Sequence, residues 1–143
     1  MDELYDIIEE ILEEDGKGDT NTIIMGDWNS VVGGESYRNI AGPHGLGRKN
    51  HRVQMLINIC ETNGLIVINT WYRKPKRHGQ CQLDYILVKH QFRNCVEDMQ
   101  TLPGADIDSD HNLLVAKICT RLKKIIRFQK RRPRWDLEKL FAQ

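Results

Sequence analysis

Apolar positions along this chain follow two periodicities. Between residues 2 and 14, Leu4, Ile7, Ile8, Ile11 and Leu12 recur at spacings of three and four with acids between them. This predicts an amphipathic helix with those five side chains inward. Asp15-Gly16-Lys17-Gly18 closes it, because glycine tolerates the left-handed turn at a helix C-terminus. Residues 51–63 repeat the pattern through Val53, Leu56, Ile57 and Cys60 and stop at Asn63-Gly64. Elsewhere the apolar residues run together, over 22–25, 65–68 and 83–88. Such runs predict short strands, with 65–68 covered on both faces. A weaker strand pattern follows at 95–101, and 112–118 is the last strand. The stretch 32–49, with five glycines and Pro43, predicts a surface excursion. Helices interleaved with buried strands indicate a layered α/β architecture, with no internal repeat.

A length of 143 residues suits one domain. No apolar run approaches the roughly 20 residues that cross a bilayer. The acidic N-terminal stretch is also the opposite of a secretory leader, so the expectation is an intracellular protein, nuclear or cytoplasmic, with no membrane partner. Cys60, Cys81, Cys95 and Cys119 lie far apart, which argues against zinc and for reduced thiols. The net charge of +1 conceals an asymmetry. Residues 1–15 hold eight acids and no base, whereas 121–134 hold eight bases and no acid. A second basic cluster is Arg73-Lys74-Pro75-Lys76-Arg77-His78. Such clusters attract phosphate without sequence preference. For the C-terminal run, a solvated helix face is an equal reading.

Three polar segments interrupt the apolar pattern. Asp27 and Asn29 follow the first strand and, if the chain stays extended, share a face while Trp28 points away. Asp84 sits in an otherwise apolar strand, where an unpaired carboxylate costs several kcal/mol. Asp110 and His111 precede the last strand, and neighbours on an extended chain point to opposite sides. Asp84 is therefore expected to orient His111, in preference to Asp110. Each segment alone reads as a turn, a cap or a buried ion pair. Together, at the edges of apolar strands, they read as a phosphoester-cleaving constellation.

Those segments, Ile24-Met25-Gly26-Asp27-Trp28-Asn29, Gln82-Leu83-Asp84-Tyr85-Ile86-Leu87 and Ser109-Asp110-His111, resemble three ordered motifs of the endonuclease/exonuclease/phosphatase superfamily, which includes DNase I. Gly42-Pro43-His44-Gly45-Leu46-Gly47, Asn69-Thr70 and Pro103-Gly104-Ala105-Asp106 resemble RTE-type non-LTR retrotransposon endonucleases in particular. The resemblance covers about 2–120. It implies the second half of a four-layer, DNase I-like α/β sandwich over 1–120. Residues 121–143 form a basic tail resembling the link to a reverse transcriptase.

The implied activity is Mg²⁺-dependent nicking of DNA. Asp27, Asn29, Asp84 and His111 would be catalytic, and Asp27, Asn29 and Asp110 would hold the metal. Arg73, Lys74, Lys76 and Arg77 would contact nucleic acid through nonspecific, phosphate-driven binding. In the family pattern an earlier half supplies an Asn and a Glu to the metal, and the resemblance sets in after it. The expectation is a weak or inactive isolated chain, which self-associates or takes up the missing N-terminal half. The alternative is a non-catalytic remnant that binds nucleic acid or a partner.

Overall fold

A computed structural model describes residues 2–15, 21–73, 82–102 and 111–121. Two helices, α1 (Asp2–Asp15) and α2 (Val53–Asn63), lie on one side of a three-stranded antiparallel sheet. Its strands are β1 (Ile23–Asp27), β2 (Leu65–Val67) and β3 (Asp84–Lys89), in the order β1-β3-β2. On the other side stands a two-stranded sheet of β4 (Val96–Leu102) and β5 (Leu113–Ile118). Alternation along β3 divides the core accordingly. Tyr85 and Leu87 face the helices with Leu56, Ile57 and Cys60, while Ile86 and Val88 meet Val96 and Met99 of the second sheet. This mixed α/β layering is consistent with a partial DNase I-like fold.

The structure corrects four local expectations. On α1 the buried side is Tyr5, Ile8 and Leu12, whereas Leu4, Ile7 and Ile11 are 53%, 48% and 54% exposed. The helix presses on α2 and on Trp28, whose ring lies 5.9 Å from that of Tyr5, and these contacts cover only one side of a broad apolar stripe. Residues 32–49 are also more than a surface excursion, because Val32, Ile40 and Ala41 belong to the helix-side core. Ala41 bridges to Val67, and the Gly42 amide donates to Thr70 Oγ1 at 2.8 Å. A Cβ on Gly42 would sit 2.7 Å from the Thr70 carbonyl oxygen, so close backbone approach explains that glycine.

The run 65–68 is a strand only to Val67, after which Ile68–Trp71 forms a 3₁₀ turn. There the buried Asn69 side chain replaces the backbone ladder. Its Nδ2 donates to the Asp84 carbonyl at 3.0 Å, and its Oδ1 accepts from the Ile86 amide at 3.1 Å. The helix predicted over 51–63 begins at Val53 and ends as expected, with Gly64 at φ 63.

No described helix is long and apolar enough to cross a membrane. The described thiols differ sharply. Burial pushes Cys60 from the ordinary value near 9 up to about 12, whereas Cys119 is exposed. Only a thiolate attacks disulfides, so Cys119 should react with a disulfide reagent at mildly alkaline pH well before Cys60 does. Because the folded thiol is held neutral, the unfolded chain ionises first, and Cys60 subtracts stability as pH rises past about 9. Mass mapping of labelled peptides checks this, and early labelling of Cys60 would contradict it.

Candidate active site

The site forms where three strand ends meet. Asp27 is the last residue of β1, Asp84 is the first of β3, and the register places them directly opposite. Cross-strand partners point to one face, so two carboxylates are held side by side, an arrangement that like charges disfavour by themselves. Asp84 shares the face of Ile86 and Val88, which looks towards the second sheet. From that sheet comes His111, two residues before β5.

His111 Nδ1 lies 2.9 Å from Asp84 Oδ2, and His111 Nε2 lies 3.8 Å from Asp27 Oδ2. One ring therefore answers both carboxylates. With Nδ1–H donating to Asp84, the neutral tautomer turns its basic nitrogen towards Asp27. An atom about 2.8 Å from both Nε2 and Oδ2 would complete a hydrogen-bonded triangle. All three side chains are between 32% and 49% exposed, open enough to meet a substrate.

Asn29 departs from the extended expectation. The strand ends at Asp27, Asn29 has φ 48, and its amide donates to Asp27 Oδ1 at 2.8 Å. The Asp27 carboxylate is thus anchored by a turn on its own backbone. Asn50 closes that turn from outside, donating to the Asn29 carbonyl and accepting from the Val31 amide. Trp28 points the other way into the core, where Nε1 donates to the Tyr85 carbonyl at 3.3 Å. Asp110, Lys74, Lys76, Arg77 and the basic run after Arg121 lie outside the described residues. Arg73 is described and exposed.

Several further residues serve this site through contacts that join distant parts of the chain. Asn69 clamps the backbone on both sides of Tyr85, through the Asp84 carbonyl and the Ile86 amide. Tyr85, fully buried, donates its hydroxyl to the Gln82 carbonyl at 2.6 Å and accepts from the Val32 amide at 3.0 Å. Beside His111 lies a cavity of about 120 Å³, lined by Gln82, Leu83, Thr101 and Asn112 among others. Gln82 Oε1 and Thr101 Oγ1 are buried there without a protein partner, so the cavity suits an occupant with donors to give. Nothing in the sequence brings Thr101 to His111, since β4 reaches it only through pairing with β5.

Asp27, Asp84 and His111 each offer a ligand atom within 4.8 Å of the others, a group able to hold a metal ion. The profile of the endonuclease/exonuclease/phosphatase family matches residues 1–111. The chain belongs to that family. It is 37% identical over 131 residues to craniofacial development protein 2 of Tragulus javanicus, a match covering 85% of this chain and 23% of that protein. The protein of the same name from Bos taurus matches at 37% over 131 residues, covering 85% and 22%. The chain thus spans less than a quarter of the length of these relatives. No solved structure matches it. Membership suits the site, because the family is generally metal-dependent and its members cleave phosphoesters. All three strand ends that form the cluster belong to the matched region or to the strand that follows it.

Proposed function

We propose that this chain supplies the Asp–His part of a Mg²⁺-dependent, DNA-nicking phosphodiesterase of retroelement origin. The observation that carries the reading is one imidazole held by Asp84 and turned to Asp27. In this reading His111 takes a proton from the attacking water, Asp84 keeps the ring in the working tautomer, and Asp27 orients that water. Asn29 keeps Asp27 in place through its amide. The carboxylates fit Mg²⁺, which prefers hard oxygens and is bound by one or two carboxylates with several waters. Asp27, with Asn29 and Asp110, would hold the ion, which when bound stabilises charge on the phosphate. The retroelement origin rests on the sequence likeness at 42–47 and 103–106 to RTE-type elements.

Full rate requires the Asn and Glu that the family pattern places in an earlier half. Supercoiled plasmid with Mg²⁺ should therefore be nicked near background by the 143-residue chain alone. Supplying the first half of a family domain in trans should raise nicking well above background, and EDTA should remove it. No gain on complementation would favour the second reading, a binding remnant, which the exposed apolar side chains Leu4, Ile7 and Ile11 also suit.

A further inference from the structure

A second cavity, of about 330 Å³, opens beside β2 on the face turned to the second sheet. Its floor is apolar, made by Ile66, Ile68 and Val96. One wall is the indole of Trp71, held by Nε1 donating to the Ile40 carbonyl at 3.4 Å and backed by Gly42. The exposed Arg93 guanidinium lies 5.8 Å from the centre of that ring, over its face. Tyr72 lines the cavity with its hydroxyl committed to the Val96 carbonyl at 2.6 Å, and Asn94 adds an amide to the rim. The basic cluster Arg73-Lys74-Pro75-Lys76-Arg77-His78 begins at the next residue after Tyr72.

An apolar slot with an indole, a guanidinium plane and one amide is built for a flat, polar-edged ring. Exposed Arg–indole pairs of this kind are weak, so a better stacking partner displaces the arginine at small cost. Arg93 at the cavity and the exposed Arg73 beside Tyr72 favour a ring that carries phosphate. We infer that this cavity receives an unpaired base of a nucleic-acid strand. The base stacks on Trp71, Arg93 folds over its outer face, Asn94 meets its edge, and the exposed Arg73, next to Tyr72, attracts the strand's phosphates. A duplex keeps its bases stacked inside and cannot fill the slot. The cavity also stands close to the Asp–His cluster: Ile66 pairs with Val88, four residues along β3 from Asp84, or roughly 13 Å at strand spacing. The choice of polymer rests on the nucleic-acid reading above, but occupancy is measured without nicking, so either can fail alone.

The test uses the full chain, with labelled single-stranded DNA, single-stranded RNA and duplex DNA of equal length, read by anisotropy and by tryptophan fluorescence. A single strand should bind more tightly than duplex and quench the Trp71 signal, identified by its loss in Trp71→Phe. Trp71→Ala should weaken single-strand binding about 10-fold, and Arg93→Ala about 3-fold, with duplex affinity nearly unmoved. If Trp71→Ala fails to fold, Arg93→Ala and the quench decide. Preference for DNA or RNA supports the pocket equally and names the polymer. Absence of single-strand binding, binding without quench, or equal losses on single strand and duplex would overturn the inference.

Discussion

Replacing His111 with alanine should lower Mg²⁺-dependent plasmid nicking by the complemented domain about 100- to 10,000-fold. The size follows from what the ring does in the proposed reaction. A carboxylate holds His111 at 2.9 Å through Nδ1 while its other nitrogen looks onto Asp27. Without the imidazole, water must lose its proton to solvent, and the site keeps only its electrostatic contribution. Asp84→Asn should act in the same direction with KM unchanged, since the ring remains but the acceptor that selects its tautomer is gone. Asp27→Ala should also abolish nicking, because no other described carboxylate lies opposite Asp84. Gel quantification of nicked plasmid, with circular dichroism to check folding, reads all three. His111→Ala nicking within a few-fold of the parent would remove the proposed general base.

The largest stability loss tied to the site is expected from Asn69→Ala, about 2–5 kcal/mol. Asn69 is fully buried, and its amide satisfies both the Asp84 carbonyl and the Ile86 amide. Alanine would leave two backbone groups orphaned inside the core, each costing about 1–3 kcal/mol. Gln54→Ala on the exposed face of α2, which breaks an equally good amide bond to Asn58, should cost under about 0.5 kcal/mol. Denaturant midpoints for the two variants make the comparison. Similar midpoints would mean that Asn69 is not the clamp its geometry describes. Because the Asp84 carboxylate depends on that strand end, Asn69→Ala should also reduce nicking at temperatures where it remains folded.

The sequence by itself determined the elements, the family and the candidate chemistry. Spacings of three and four marked α1 and α2, apolar runs marked β1 to β5, and Asn63-Gly64 marked a helix end, because these signals depend on neighbours a few residues away. The motif residues Asp27, Asp84 and His111 were legible for a different reason. A carboxylate beside an apolar strand is costly unless it has work to do, so it stands out against its surroundings. Only the tertiary structure decided which of these groups meet. Pairing of β1 with β3 put Asp27 opposite Asp84, and packing of the second sheet brought His111 between them. It also ended the extended chain at Asp27, turning Asn29 into the residue that anchors the carboxylate. The partners of Asn69, Thr101, Gln82 and the Trp71–Arg93 pair stayed silent in the sequence, since an amide, a hydroxyl or an indole says nothing of its partner until distant strands close around it. Even the buried side of α1 was settled this way. Periodicity set out a broad apolar stripe, and packing against α2 and Trp28 chose Tyr5, Ile8 and Leu12 and left Leu4, Ile7 and Ile11 to solvent.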